Sequence, residues 1–193
     1  MPSISVIGGE PLCYWEELNL EKHLSNLIDV ARGYGKELRI VSNGYLWKDK
    51  HLDFVKNKGI SVDISLDGYE EAHNNMRKTK AGTTTWREAY NTINRLREDN
   101  NNYRVRATIG KENINNAYEM YLFLYNEGFK RYGLEIDTFH FWSVTEISRL
   151  SIQYEKILKH YIEHYDPKRS CFSLDRVLKL LAPDLIQSKN ADS

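Results

Sequence analysis

Ile4-Ser5-Val6-Ile7-Gly8-Gly9-Glu10-Pro11-Leu12 sets the reading of the whole chain. Its β-branched residues, Ile4, Val6 and Ile7, favour an extended backbone. The run then meets two glycines, a carboxylate and a proline, and a helical pattern opens almost at once in Tyr14-Trp15-Glu16-Glu17-Leu18. Strand, tight turn and helix in that order make half of a βα unit. Ligand sites in such folds gather on the loops at the carboxyl ends of the strands. Gly8 and Gly9 carry no Cβ, so a ligand can come close to their backbone. Glu10 adds a charge able to hold a cationic group, and Pro11 fixes the direction in which the chain leaves. Alone, Gly-Gly-Glu-Pro reads equally well as a strand-to-helix turn. The downstream residues decide between the two.

The chain has 193 residues, enough for one substantial core. Hydrophobic content of 41% with 28% charged residues fits an ordinary soluble globular protein. Basic and acidic residues balance at 27 each, so no net field steers the chain toward nucleic acid or a membrane surface. No apolar run approaches the roughly 20 residues of a spanning helix. The first residues lack the pattern of a signal peptide, so the expected setting is cytoplasmic. Cys13 and Cys171 lie far apart with no CxxC pair, and both read as small buried thiols. No histidine pair has the spacing of an HExxH zinc helix, and His160 with His164 reads as a solvated helix edge.

Past Pro11 the chain alternates. Helices are expected at about Tyr14 to Gly33, Lys48 to Lys58, Thr85 to Glu98, Ile114 to Glu127, Val144 to Tyr165 and Leu174 to Leu181. Strands are expected at Leu38 to Ser42, Ile60 to Leu66, Val105 to Ile109 and Tyr132 to Thr138, with a long polar connection after Gly68. Strands separated by helices pair in parallel through right-handed crossovers. Such sheets normally bury both faces and read as nearly all apolar. Here Ile60-Ser61-Val62-Asp63-Ile64-Ser65-Leu66-Asp67 alternates fully, and Arg104 to Ile109 and Leu134 to Asp137 alternate too. A barrel or half-barrel with a polar interior accounts for this, with Asp63, Ser65, Arg106, Thr108, Glu135 and Asp137 facing the cavity. An open sheet with a ligand crevice at its carboxyl edge is the rival, and both place the chemistry at the same strand ends.

Four strand-end motifs now stand in order: Gly8-Gly9-Glu10-Pro11, Ser42-Asn43-Gly44, Ser65-Leu66-Asp67-Gly68 and His73-Asn74-Asn75-Met76-Arg77. From Ser3 to about Leu181 the chain resembles the radical S-adenosylmethionine (SAM) enzymes. Within them it is most similar to the anaerobic sulfatase maturases and peptide maturases that carry SPASM-type domains. The resemblance implies a partial (β/α)6 TIM-like barrel over 1–181, with 182–193 a polar, disordered tail. It implies a 4Fe–4S cluster and SAM at the carboxyl-end mouth. Gly8, Gly9, Glu10 and Pro11 would take the methionine ammonium, for which a backbone carbonyl and a carboxylate are suitable acceptors. Ser65 would reach the ribose hydroxyls, and Arg77 would pair with the SAM carboxylate at the opposite end of the cofactor. Asn43 would contact the cofactor or shape its turn. Glu135, Asp137 and His140 would touch substrate or move a proton. Plainer readings stand beside these: a helix-start turn for Glu10, a turn residue for Asn43, strand filler for Ser65, a solvated charge for Arg77 and hydrogen-bonded lumen residues for the last three.

One departure stands out. In the family a Cys-x3-Cys-x2-Cys loop upstream of Gly-Gly-Glu-Pro holds the cluster, and thiolates are what such clusters need. Only seven residues precede Gly8, none of them cysteine. The expectation is a chain truncated at its amino terminus, without the first strand, cluster loop and first helix, and also without the auxiliary-cluster region. Such a chain would be inactive alone. In the longer protein the resemblance implies one-electron reduction of cluster-bound SAM by a donor such as ferredoxin or flavodoxin. The resulting 5′-deoxyadenosyl radical would act on a peptide or protein substrate. The alternatives are a non-catalytic half-barrel remnant that binds a peptide or partner, and an ordinary α/β enzyme using Glu135 and Asp137 with a metal or phosphate.

Overall fold

The computed structural model describes residues 3–166 and 168–181, so the tail expected over 182–193 lies outside the described residues. Six strands are formed: β1 (Ser3–Val6), β2 (Glu37–Ser42), β3 (Ser61–Ser65), β4 (Tyr103–Ile109), β5 (Arg131–Ile136) and β6 (Ser170–Cys171). They follow one another across the sheet in chain order and pair in parallel. The helices are α1 (Leu20–Gly33), α2 (Asp49–Lys58), α3 (Glu70–Met76), α4 (Trp86–Glu98), α5 (Ala117–Asn126), α6 (Val144–Glu163) and α7 (Phe172–Leu181). Sequential parallel strands joined by helices are the topology of a partial (β/α)6 barrel, as the alternation predicts. No helix among the described residues is long and apolar enough to cross a membrane.

The chain divides into two compact units, Met1–Ser65 with Thr85–Arg104, and Leu66–Thr84 with Val105–Ser193. In the first, Leu38 and Ile40 of β2, Val62 and Ile64 of β3, and Ile28 and Ala31 of α1 are buried. The opposite set of side chains on these strands is charged, and it is buried as well. Asp63 lies fully inside, where it meets Arg39 at 3.4 Å and accepts a 2.8 Å hydrogen bond from Arg104 Nε. The polar alternation of β3 is thus a buried ion cluster.

Two expectations for this unit need correction. The helix expected from Tyr14 starts only at Leu20. Pro11–Tyr14 instead forms a 3-10 turn, capped by the Glu10 side chain on the Leu12 N–H at 3.2 Å. Asn19 then sits in the left-handed region at φ 46°, which interrupts the helical path. Trp15, 6% exposed and edge-on to Phe54 at 5.4 Å, anchors the bend. Cys13, on this 3-10 turn, is exposed rather than buried.

Gly44 closes the turn after β2 at φ 80°, and a Cβ there would lie 2.9 Å from the Ala89 Cα of α4. Gly44→Ala therefore combines overpacking against backbone with left-handed strain. It is expected to cost about 2 kcal/mol, read as a lowered denaturant midpoint at unchanged m-value.

In the second unit, Val105, Ala107 and Ile109 of β4 pack inward with Met120, Tyr121 and Leu124 of α5. The segment read as a polar connection contains a short helix, α3, and the two-residue β6 adds an edge strand that periodicity could not show. His160 is less solvated than expected, because its Nδ1 lies 3.1 Å from the hydroxyl of buried Tyr121. Its neighbour on the same face, His164, is exposed. Cys171 is buried as expected, and burial pushes its thiol up to about 12.

Candidate functional site

The loop after β1 owes its shape to the glycines. Gly8 stands at φ 118° and Gly9 at φ 53°, backbone that L side chains rarely adopt. A Cβ built on either glycine would meet no atom within 4 Å, so the requirement here is conformational rather than steric. The exposed backbone of Gly8 and Gly9 delivers the chain into Glu10, and Pro11 then sits at the first position of the 3-10 turn.

Glu10 turns back across the ends of β1 and β2. Its Oε1 accepts from Leu12 N at 3.2 Å and from the Ser42 hydroxyl at 2.9 Å. Its Oε2 accepts from the backbone N–H of Asn43 at 2.7 Å. Ser42 Oγ in turn accepts from Gly44 N at 3.1 Å and from the Trp47 indole Nε1 at 2.8 Å. Asn43 uses its side-chain Oδ1 to accept from Tyr45 N at 2.9 Å, an Asx turn, so its side chain shapes the loop. Ser65 ends β3 half-exposed in the same unit.

The second unit holds its own polar constellation. Asp67, 1% exposed, accepts from Arg77 Nε at 2.6 Å, from Arg77 Nη2 at 3.3 Å and from Thr108 N at 2.8 Å. Arg77 Nη2 also donates to Thr108 Oγ1 at 3.2 Å. Behind them the fully buried His73 accepts the Asp67 N–H through Nδ1 at 3.1 Å. Burial holds this imidazole down at about 4, against a weaker upward pull from Asp67. Arg77 is therefore not a solvated charge but one arm of a bidentate pair.

Beyond β5, Asp137 Oδ1 accepts the Phe139 N–H at 2.8 Å, and its Oδ2 lies 2.8 Å from His140 Nδ1. Those two contacts lower its pKa, the backbone bond first. Glu135 is paired with Arg106. So the structure joins Asp137 to His140 and commits Glu135 to a guanidinium.

Four participants escaped the sequence reading: Trp47, Asp67, His73 and Thr108. Asp67 and His73 sat inside recognisable motifs, but nothing in their spacing shows a buried imidazole behind a carboxylate. Trp47 gave no local signal, because the link to Ser42 depends on how the turn folds. Neither cysteine provides a cluster site. Cys171 is kept a thiol by burial, and no group of three or more His, Cys, Asp or Glu among the described residues could hold a metal ion. The residues of this chain do not fit a 4Fe–4S cluster.

Comparison with known proteins adds an independent line. The sequence model of the Radical SAM superfamily matches residues 2–140. The sporulation killing factor maturation protein SkfB of Bacillus subtilis is 31% identical over 118 residues, covering 61% of this chain and 26% of that protein. A serine-type anaerobic sulfatase-maturating enzyme of Bacteroides thetaiotaomicron is 26% identical over 164 residues, or 82% of this chain and 33% of that one. The chain thus spans about a quarter to a third of these relatives. Among solved structures, native anSMEcpe with bound AdoMet and a peptide superposes with a TM-score of 0.74 at 17% identity, over 93% of this chain and 52% of that one. Streptococcus suis SuiB bound to its precursor peptide SuiA gives 0.56 at 16% identity, over 82% and 36%. At those identities the structural likeness establishes the fold.

Proposed function

This chain belongs to the radical SAM superfamily, and on that footing we propose that the loop after β1 holds S-adenosylmethionine for the modification of a peptide or protein. The observation that carries the reading is the state of Glu10. Its carboxylate is fixed by three neutral donors, Leu12 N, the Ser42 hydroxyl and Asn43 N. An ionised carboxylate offers about four lone-pair sites, so one remains for an ammonium N–H. The donors stabilise the charge without neutralising it, and they hold it still before the ligand arrives. Gly8 and Gly9 add backbone carbonyls on an open loop. Asn43 acts through its backbone, and Ser65 serves the ribose hydroxyls.

The same reading gives the SAM carboxylate to Arg77, which Asp67 holds in place. It gives the substrate side to Asp137 with His140, an acid–base pair already in contact, and to Glu135 as a polar neighbour. Bound SAM supplies an adenosyl group for one-electron chemistry. The part of this chain is to bind and orient it. A peptide or protein substrate is supported by the likeness to a maturation protein and a sulfatase-maturating enzyme.

Calorimetric titration with SAM under anaerobic conditions tests the core of this. Glu10→Ala is expected to weaken binding roughly 30-fold, about 2 kcal/mol, the scale of a charge-assisted hydrogen bond. Absence of SAM binding by the unaltered chain, or equal affinity in the variant, would overturn the reading.

A further inference from the structure

We propose that Ser42, backed by the Trp47 indole, is a positioning residue that aims the Glu10 carboxylate at the ligand's ammonium. This rests on the reading of Glu10 as the ammonium acceptor and adds a residue to it. Hydrogen-bond capacity carries the assignment. A serine hydroxyl has one hydrogen to give and two lone pairs to receive with. Ser42 Oγ receives from Gly44 N at 3.1 Å and from Trp47 Nε1 at 2.8 Å, and both donors are N–H groups with no other role at that oxygen. Both lone pairs are therefore filled. The single hydroxyl hydrogen has one acceptor left to it, Glu10 Oε1 at 2.9 Å. Ser42 is only 3% exposed and Trp47 only 7%, so bulk water does not compete for the arrangement. The hydroxyl rotor, ordinarily free, is locked.

The consequence lies in the carboxylate. Asn43 N fixes Oε2 from one side and Ser42 fixes Oε1 from the other, so the plane of the Glu10 carboxylate is set by two donors from adjacent residues of one turn. Chains of hydrogen bonds polarise one another, and an indole donating into a hydroxyl makes that hydroxyl a better donor to the anion. Trp47 is itself held from below, its ring edge-on to His51 at 6.2 Å. Serine at 42 thus does more than cap a turn, which any residue with an acceptor oxygen could do. It also donates, and only a hydroxyl can both receive from two N–H groups and give to a carboxylate.

The test compares two ligands across four proteins. SAM and an analogue lacking only the α-amino group, with sulfonium and carboxylate retained, are titrated into the unaltered chain, Ser42→Ala, Ser42→Thr and Trp47→Phe. The unaltered chain is expected to prefer SAM. In Ser42→Ala that preference is expected to fall roughly 10-fold, with binding of the deaminated analogue unchanged. Ser42→Thr keeps the hydroxyl and is expected to restore it, and Trp47→Phe to lose about 3-fold. A purely structural serine would weaken both ligands alike.

If Ser42→Ala is too unstable to titrate, because the Gly44 and Trp47 donors are stranded, the double variant Ser42→Ala with Trp47→Phe removes one of those stranded groups and is expected to show the same loss of preference. An unaltered chain that does not distinguish the two ligands refutes the ammonium reading of Glu10 itself. An unaltered chain that prefers SAM, with that preference intact in folded Ser42→Ala or in the double variant, refutes the role of Ser42 alone.

Discussion

Asp63→Ala is expected to destabilise the protein by about 3–5 kcal/mol, the cost of stripping one partner from a buried ion cluster. Asp63 is fully buried, and the side chains of Arg39 and Arg104 beside it are only 11% and 13% exposed. Arg104 approaches it as a fork, through Nε at 2.8 Å and through Nη2, while Arg39 Nε stands at 3.4 Å and its Nη1 donates to Ser3 Oγ at 3.1 Å. Two guanidiniums thus share one carboxylate. Removing the carboxylate leaves two desolvated positive charges facing each other, which neither arginine can relieve by deprotonating.

Asp63→Asn, which keeps the shape and loses the charge, is expected to cost nearly as much. The triple replacement Asp63→Leu, Arg39→Met and Arg104→Met removes the charges together and is expected to recover most of the loss, since buried ion clusters are often no better than apolar packing of equal volume. Urea unfolding of the three variants decides it. A loss under about 1 kcal/mol in Asp63→Ala would mean that water reaches the cluster and that the face is not a desolvated interior.

The same cluster shows how far the sequence could be read. The alternation Ile60-Ser61-Val62-Asp63-Ile64-Ser65 revealed a polar strand face, and the strand–helix rhythm led to the parallel order the structure has. These are properties of short, repeating chain, and periodicity reports them directly. What the polar face does could not be read, because Arg39, Asp63 and Arg104 come from three strands and meet only when the register is set. Ser42 was legible as part of Ser-Asn-Gly, but not as an oxygen with three partners. The helix expected from Tyr14 failed for a local reason. Tyr14-Trp15-Glu16-Glu17-Leu18 has helical spacing, yet Glu10 spends its side chain capping a 3-10 turn and Asn19 turns left-handed. Short-range propensity lost there to the demands of the loop that carries the site.

Acid should weaken the fold through His73. In the folded protein this imidazole is held down at about 4, chiefly by burial and secondarily by Arg77, with Asp67 pulling the other way. Unfolded, it returns to its ordinary value near 6.5. Between those values the unfolded chain takes up a proton that the folded one refuses, so stability falls as pH falls through the window and levels off below about 4. The difference amounts to about 3 kcal/mol at about 1.4 kcal/mol for each pH unit. His51 and His160 are lowered too and tilt the curve in the same direction, so a single curve would not isolate His73.

The comparison that does so is His73→Phe, which fills the same space and cannot titrate. It strands the Asp67 N–H that His73 Nδ1 accepts at 3.1 Å, a cost of about 1–3 kcal/mol that does not vary with pH. The unaltered protein should therefore be the more stable at pH 7, and its advantage should shrink by about 3 kcal/mol on going to pH 4, leaving the two nearly equal or reversed. Denaturant unfolding at pH 7, 5.5 and 4 measures the gap. Parallel curves would show that His73 titrates in the folded state near its ordinary value and is not sealed from solvent. The stake is local as well as global. His73 sets the backbone of Asp67, and Asp67 holds Arg77 Nε at 2.6 Å, so protonating the imidazole removes the acceptor from which the Arg77 pair is suspended.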